Sequence, residues 1–342
     1  MRKLFYCGLA LSGFCLTSCS MNQTGYHSES FFAMDTYMKF TAYSEDAEEA
    51  VDLAKDKVCE LEKKWSVTDK GSEIYKINHS NGKSVFVSSE TEQLIEFSLD
   101  ISEMTDGALD CTIYPVLSEW GFTKNGSYNV PSDSRLAELL DFTGFEKVTV
   151  NDQDVVLPEN MQIDLGAVGK GSAGDYAAEI MKECGIESAL LDLGGNIHTI
   201  GTKPDGTDWK LGLRSPFDKS SFAMIEVSDC AVVTSGGYER CFTGEDGEVY
   251  WHILDPETGK PAHSGLASVT VIGKEGRLCD ALSTALFVMG LDKAERLWTE
   301  YGYDFDMVLV TNEKKVFITD GIEDKFSLNE MYDNMSVEVI RR

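Results

Sequence analysis

The segment Ile163-Asp164-Leu165-Gly166-Ala167-Val168-Gly169-Lys170-Gly171 joins the end of a strand-like run to a glycine-rich turn and the start of a helix. Glycines in such a turn let the backbone approach a ligand closely, and the free N–H groups of a helix N-terminus attract anions. Lys170 adds positive charge at the same point. The spacing differs from the GxxxxGK[ST] pattern of a Walker A loop. The segment alone leaves two interpretations open, a phosphate-binding turn and a tight connection.

The elements on either side of this segment predict an α+β fold. Apolar spacings of three and four predict helices over 47–65, from Ser89 toward Gly107, and over 170–184, 280–290 and 292–301. Short β-rich runs predict strands at 31–43, 148–150, 155–157, 188–193, 231–234, 268–272, 308–310 and 316–318. Hairpins mixed with helices favour α+β over a doubly wound parallel sheet.

Composition excludes several classes of protein. The chain has 342 residues, of which 42% are hydrophobic and 10% aromatic, so it is not a disordered protein. Lys and Arg number 30 against 58 Asp and Glu, which gives a formal net charge of −28. Because so acidic a surface repels phosphates, a nucleic-acid partner is not expected.

The first residues predict export and a lipid anchor. A basic start at Arg2-Lys3 precedes an apolar run from Leu4 to Leu16, and Leu16-Thr17-Ser18-Cys19 resembles the lipobox of bacterial lipoproteins. We therefore expect a signal peptide over 1–18, a lipidated Cys19 with a tether over 19–29, and one domain over 30–342. The expected location is the extracytoplasmic face of the cell membrane or the periplasmic side of the envelope. The alternative is an ordinary cleaved signal with a chance cysteine.

The spacing of the cysteines does not indicate a metal site. The six cysteines after Cys19 form no CxxC pair, so a zinc ribbon or thioredoxin-like motif is unsupported. Export permits disulfides, but the apolar surroundings of several of these cysteines favour buried free thiols. The six are Cys59, Cys111, Cys184, Cys230, Cys241 and Cys279.

Two further segments carry side chains suited to chemistry. His252 lies in Tyr250-Trp251-His252-Ile253-Leu254-Asp255-Pro256, just before a turn, and a histidine there can deprotonate a hydroxyl. A packed core histidine is the other interpretation. Asp280 and Thr284 lie at i and i+4 on one helix face, a pair of oxygen ligands that suits Mg²⁺. Alternatively, Asp280 simply caps the helix.

Glycine pairs mark two more segments, Leu191-Asp192-Leu193-Gly194-Gly195-Asn196-Ile197 and Thr234-Ser235-Gly236-Gly237-Tyr238-Glu239-Arg240. In the first, two glycines interrupt a buried strand, which indicates a bulge or a close approach by another backbone or a ligand. The neighbouring His198 is interpreted as a packed or surface residue rather than a ligand.

Together these segments, in this order, resemble the ApbE family, the FAD:protein FMN transferases. Met34-Asp35-Thr36 and Asp106-Gly107-Ala108-Leu109-Asp110-Cys111-Thr112 add to the resemblance, which covers about Phe32 to Ile318. The resemblance implies an α+β, T-fold-like architecture of mainly antiparallel sheets with helices and a nucleotide cleft between two lobes. One departure is Asn196, which stands where Asp is common in the family.

The resemblance also implies the reaction. FMN would pass from FAD to a Thr or Ser hydroxyl of an exported acceptor protein, with AMP leaving and Mg²⁺ as the cofactor. The chain lacks an acceptor motif of the Asp-x-x-[Ser/Thr]-Gly-Ala-Thr kind, so the acceptor is expected to be a separate protein.

Roles are implied for individual residues as well. His252 would be the base, Lys170 would face phosphate or ribose, and Asp164 would face a polar group of the nucleotide. Mg²⁺ would be held by Asp280, Thr284 and the backbone carbonyl of Ala167, with Ser283 as a weaker candidate. The residues that would line the flavin nucleotide cleft are Met34, Ala108, Leu109, Asp110 and Ile253.

Two rival functions stay open at this point. A Mg²⁺-dependent FAD pyrophosphatase would use the same cleft with water in place of the acceptor hydroxyl. A non-catalytic ligand-binding lipoprotein would need no Asp280/Thr284 pair.

Overall fold

The computed structural model describes residues 25–123, 127–218, 220–301 and 304–342. The predicted signal peptide, Cys19 and the tether up to residue 24 lie outside these residues. The helices are α1 Ala47–Trp65, α2 Glu73–Asn78, α3 Ser89–Met104, α4 Tyr114–Trp120, α5 Asp133–Leu140, α6 Gly169–Glu183, α7 Gly276–Met289 and α8 Leu291–Tyr301.

The strands occur in groups between these helices, and β6 to β13 follow one another directly. They are β1 Tyr26–Ala33, β2 Thr36–Tyr43, β3 Val85–Phe86, β4 Thr149–Asn151, β5 Asp154–Val156, β6 Ala189–Asp192, β7 Ile197–Ile200, β8 Trp209–Arg214, β9 Ser221–Val227, β10 Ala231–Gly236, β11 Cys241–Thr243, β12 Val249–Trp251, β13 Leu266–Gly273, β14 Phe305–Thr311, β15 Lys315–Thr319, β16 Phe326–Leu328 and β17 Ser336–Ile340. The predicted α+β class is confirmed.

A nine-stranded sheet organises the domain, in the order β1-β2-β6-β7-β10-β13-β14-β15-β17. Its described pairs are antiparallel except β15 with β17, which run parallel. Along β14, Met307 and Leu309 belong to the core under α7 and α8, whereas Val308 and Val310 belong to the core under β8 and β9. Because both faces are covered, this strand is apolar from Met307 to Val310.

The predicted single strand over 31–43 is wrong in one respect, because it is a hairpin of β1 and β2. Met34 and Asp35 form the two-residue turn, with φ of 49° and 59°. Such left-handed pairs are usually Asn-Gly or Asp-Gly. The hairpin was missed because neither turn residue is a glycine.

Other boundaries differ by up to one helical turn. Helix α7 begins at Gly276, four residues before the predicted start at Asp280. The pattern Ser89-Glu90-Thr91-Glu92 predicts a capping box with Ser89 as the N-cap residue, but the N-cap residue of α3 is Ser88. The runs 308–310 and 316–318 predict a closing hairpin, and β14 and β15 do pair as a hairpin. It does not close the fold, because β17 pairs with β15 afterwards.

All six described cysteines are free thiols. Cys111 and Cys279 are buried as expected, but Cys241 is exposed, so the expected burial is wrong there. Within the residues that the structure describes, no helix has both the length and the apolar character needed to cross a membrane.

Candidate active site

Helices α6 and α7 bring the glycine-rich turn and Asp280 together. The Gly171 N–H donates to Asp280 Oδ2 at 2.9 Å, and Lys170 Nζ lies 3.9 Å from Oδ1. A Cβ on Gly171 would lie 2.2 Å from the Gly276 carbonyl oxygen and 2.7 Å from Asp280 Cβ. Only glycine permits this approach, because real Cβ atoms do not sit that close to other atoms. The sequence left a phosphate-binding turn and a tight connection open for this segment, and Gly171 in it serves helix packing.

Asp280 does not cap its own helix. Glu275 is the N-cap residue of α7, and Asp280 lies in the second turn, with 4% of its surface exposed. The helix-cap alternative is therefore wrong as stated, although the Asp280 carboxylate does accept an N–H from the first turn of α6.

Hydroxyl groups surround the same turn of α7. Ser235 Oγ, near the end of β10, lies 2.8 Å from Ser283 Oγ and 3.3 Å from Thr284 Oγ1. Ser283 Oγ also donates to the Asp280 carbonyl at 2.9 Å. Among the described residues, no group of three or more His, Cys, Asp and Glu side chains could hold a metal. The donors here are one carboxylate and neutral oxygens, a set that fits Mg²⁺, which keeps several of its waters in proteins.

The Asp164 loop is braced from two directions. The Asn78 side chain, at the end of α2, donates to the Ile163 carbonyl and accepts the Ile163 N–H, both at 2.8 Å. The Asp164 N–H donates to the Cys111 carbonyl at 2.8 Å, which ties this loop to the 106–112 segment. Sequence analysis assigned Asn78 no role, because a buried Asn has no signature in a single sequence.

Asp110 is engaged in local hydrogen bonds. Its Oδ1 accepts from the N–H and the hydroxyl of Thr112 at 2.7 and 2.6 Å, and its Oδ2 accepts from the Phe145 N–H at 3.2 Å. Burial raises the pKa of this carboxyl above its ordinary value. Leu109 is buried and Ala108 half-buried beside it. A direct contact of the Asp110 carboxylate with nucleotide stays a prediction.

The Met34-Asp35-Thr36 segment lies next to the Gly194-Gly195 pair. Met34, half-buried in the β1–β2 turn, donates its N–H to Glu62 Oε1 at 2.7 Å. A Cβ on Gly194 would lie 2.1 Å from Thr36 Oγ1, so glycine is needed for the turn to approach. Asn196 is buried, with its Nδ2 unpartnered within the described structure. The group that approaches Gly194 is the Thr36 side chain and not a backbone, so the predicted backbone approach is not what the structure shows there.

His252 directly follows β12, the second strand of the β11–β12 hairpin. Its backbone N–H donates to the Arg240 carbonyl at 3.1 Å, and its Nδ1 lies 3.3 Å from that same oxygen. Burial, with a smaller effect of the Arg240 charge, lowers the pKa of His252 to about 4. The imidazole is therefore neutral near pH 7, and a proton on Nδ1 would leave Nε2 free to accept one.

The charges of Arg240 and Lys170 act on both Asp164 and His252. Burial raises the pKa of the Asp164 carboxyl, and the charges of Arg240 and Lys170 oppose that shift. The same two charges act on His252. Asp164, Lys170, Arg240 and His252 thus share one region of the molecule. Arg240 lies within a segment that sequence analysis quoted, but it was assigned no role there.

A model of the ApbE family matches residues 34–309. The chain belongs to the ApbE family. The FAD:protein FMN transferase of Vibrio cholerae is 33% identical over 240 residues, covering 68% of this chain and 71% of the relative. The enzyme of the same name from Treponema pallidum is 34% identical over 252 residues, covering 68% of each chain.

Solved ApbE structures share the fold. The ApbE protein of Thermotoga maritima superposes with a TM-score of 0.79 at 31% identity, over 92% of this chain and all of the other. The apo flavinyl transferase ApbE of Pseudomonas stutzeri superposes with a TM-score of 0.76 at 26% identity, over 92% of this chain and 98% of the other. The predicted ApbE-like fold is confirmed.

Within this ApbE-family fold, the predicted site residues fall into two groups. Lys170, Asp280 and the hydroxyls of Ser283 and Thr284 are linked by direct contacts or through Ser235. His252 and Asp164 lie near enough to Lys170 for its charge to affect their pKa values. Met34, Leu109 and Ala167 pack on one core, whereas Ile253 is buried in another. Which of these residues touch FAD stays a prediction.

Proposed function

We propose that this protein transfers FMN from FAD to a Thr or Ser hydroxyl of a separate exported protein. Family membership supports the transfer of FMN to protein. The observation that carries the residue-level proposal is the position of Lys170. It lies 3.9 Å from the Asp280 carboxylate, and its charge acts on the neutral His252. A buried carboxylate, a cation and a neutral imidazole are the groups that phosphoryl transfer to a hydroxyl needs.

The step forms one phosphorus–oxygen bond and breaks another. The acceptor hydroxyl oxygen attacks the phosphorus on the FMN side of the FAD pyrophosphate, and its proton passes to His252 Nε2. The bond from that phosphorus to the bridging oxygen breaks, and AMP leaves with the bond's electron pair. The contribution of the protein is alignment of the reacting atoms and compensation of charge.

Mg²⁺ is the proposed cofactor. Asp280 and Thr284 would hold it with their side chains, Ala167 with its backbone carbonyl, and Ser283 is a weaker candidate. When bound, the ion offsets negative charge on the pyrophosphate. The all-oxygen donors with one buried carboxylate support this choice.

The nucleotide is proposed to lie along the glycine-rich turn. Lys170, with its amine next to Asp280, faces phosphate or ribose, and Asp164 faces a polar group of the nucleotide. The proposed lining of the flavin end is Met34, Ala108, Leu109, Asp110 and Ile253.

The N-terminal sequence supports a lipid anchor at Cys19 on the outer face of the membrane. Strand β1 begins at Tyr26, so a lipidated Cys19 would hold the domain close to the bilayer. Cys19→Ala is expected to move the protein from the membrane fraction to the soluble fraction. Retention of this variant in the membrane would argue against the anchor.

The central test uses the purified full-length chain with FAD, Mg²⁺ and an exported FMN-binding domain as the acceptor. The intact mass of the acceptor and the release of AMP are followed. We expect a mass gain of one FMN and an equal amount of AMP, both lost in Asp280→Ala.

The other outcomes point to other functions. AMP and free FMN without acceptor labelling would indicate a pyrophosphatase. Tight FAD binding that yields neither product, and that Asp280→Ala leaves intact, would indicate a binding lipoprotein and overturn the proposal.

A further inference from the structure

Helices α6 and α7 cap each other at two successive turns. At one turn, the carboxylate of Asp280 on α7 accepts the Gly171 N–H from the first turn of α6. At the next, the carboxylate of Asp175 on α6 accepts the N–H of Gly276 at 2.6 Å and that of Arg277 at 2.9 Å, the first two residues of α7. Each carboxylate therefore neutralises the positive end of the other helix, where orphan N–H groups need acceptors.

The spacing of these contacts sets how the helices are aligned. Gly171 and Asp175 are four residues apart on α6, and Gly276 and Asp280 are four apart on α7. Contacts at both turns fix the position of α7 along α6 more firmly than either contact alone would. The N-cap residue of α7, Glu275, makes no side-chain capping bond, so the described cap of α7 comes from Asp175.

His198 fills the space beside Asp175. Its Nδ1 lies 3.6 Å from Asp175 Oδ1, and its ring occupies a slot between Gly174 and Gly276. A Cβ on Gly174 would lie 2.1 Å from His198 Nε2, and a Cβ on Gly276 would lie 2.0 Å from His198 Cε1. This confirms the packed interpretation of His198. Burial lowers the pKa of His198 to about 4, so the ring is neutral near pH 7. It packs beside Asp175 and does not act as its counter-ion.

We propose that Asp175 is a positioning residue for the metal. It fixes α7 against α6, and thereby holds the Asp280 carboxylate where the ion binds. This inference rests on the Mg²⁺ site of the proposed function. It adds a residue from another helix that does not itself touch the ion.

The test is direct binding of Mn²⁺, a Mg²⁺ substitute, to the full-length chain, with free Mn²⁺ followed by electron paramagnetic resonance. Asp175→Ala removes both acceptor oxygens, whereas Asp175→Asn keeps one. We expect the dissociation constant for Mn²⁺ to rise about tenfold or more in Asp175→Ala and less in Asp175→Asn, as when other residues that orient metal ligands are lost. FAD affinity without metal should stay within about twofold of the wild type, because neither variant alters a proposed nucleotide contact.

Asp229→Ala is the matched control. Asp229 pairs with Lys182 of α6 at 2.8 Å, so this variant also removes one carboxylate that contacts α6, at an exposed place. It should leave Mn²⁺ binding unchanged.

A purely structural cap gives a different result. If both Asp175 variants unfold more easily but their folded fractions bind Mn²⁺ as tightly as the wild type, the inference is wrong. Should Asp175→Ala not fold, the Asn variant alone decides, and wild-type affinity in it overturns the inference. Absence of Mn²⁺ binding by the wild type would instead refute the metal site of the proposed function.

Discussion

Helices α6 and α7 hold Asp280 through buried contacts at two turns, whereas the β11–β12 hairpin holds His252 through one carbonyl, that of Arg240. The helices are joined where only glycine fits, at Gly171 and Gly276. The hairpin is a two-stranded sheet of three residues per strand, outside the nine-stranded sheet. Small sheets of this kind gain little stability on their own.

This difference matches the proposed division of work. A metal and a pyrophosphate need donors at fixed positions, which two packed helices supply. The acceptor is a whole protein that must arrive and leave, and the base that serves it lies beside a short hairpin. The comparison teaches that the metal side of the site is fixed by backbone hydrogen bonds between two packed helices. The base side is held by one backbone carbonyl and by aromatic side chains, among them Phe122 against the His252 ring.

The largest expected effect tests the helix side. Asp280→Ala removes the proposed metal carboxylate and the acceptor for the Gly171 N–H, so FMN transfer should fall on the order of 10³-fold. The rate of acceptor labelling measures this. Asp292→Ala, at an exposed position in the first turn of α8, is the control and should retain the wild-type rate. Equal rates for both variants would refute the role of Asp280.

The next effect tests the hairpin side. His252→Ala should slow transfer about 10²-fold, the usual contribution of a general base, and leave FAD affinity nearly unchanged. His263→Ala is the control, because His263 is an exposed neighbour that packs edge-on against Trp251 at 4.6 Å. A loss of FAD affinity equal to the loss of rate would assign His252 to binding instead.

The pH profile sharpens the same point. A pKa of His252 near 4 keeps the base unprotonated down to about pH 5, so the rate should change by less than about twofold between pH 7 and 5. With an ordinary pKa of about 6.5, protonation of the base would lower the rate about 25-fold over that interval. Single-turnover labelling at both pH values, with metal and FAD saturating, distinguishes the two.

A smaller loss of stability is expected when the Asn78 side chain, which hydrogen-bonds the Ile163 backbone next to the glycine-rich turn, is removed. Asn78→Ala leaves the N–H and carbonyl of the buried Ile163 unpaired, which should lower the free energy of unfolding by about 3 kcal/mol. Urea unfolding measures it, with Asn312→Ala at an exposed turn as the control. A change below about 0.5 kcal/mol would show that the brace contributes little to stability.

The smallest effect concerns the aromatic residues next to His252. Tyr128 stacks on Phe242 at 4.6 Å but keeps 46% of its surface exposed, so Tyr128→Ala should cost no more than about 1 kcal/mol. Urea unfolding beside the Asn78 variant compares the two sides directly. A larger loss for Tyr128→Ala than for Asn78→Ala would reverse the comparison.

Much of the fold could be predicted because local patterns agreed with tertiary packing. The apolar residues that predicted α1 are the ones that the helix buries in the core, and the helix has the predicted bounds. The errors arose where local signals were absent or misleading. The Met34-Asp35 turn lacks glycine, and Asp280 resembles a capping residue although its helix begins a turn earlier.

The candidate site was predictable in its motifs but not in its contacts. Residue types and order identified Lys170, His252, Asp280 and Thr284 as candidates, since a carboxylate, a hydroxyl, a base and a glycine-rich turn can be read locally. Asn78 and Asp175 were not found, because their partners lie 85 and about 101 residues away. No local pattern marks an Asn or an Asp that serves a distant backbone.

The sequence by itself determined the α+β class, the family and the chemical types of the proposed site residues. All of these are encoded in short-range patterns of residue type. Only the tertiary structure decided that Gly171 and Gly276 serve a helix contact, that Asp175 caps α7, and that partial burial lowers the pKa of His252 to about 4. These features depend on which distant atoms meet and on how much water they exclude, and packing of the whole chain sets both.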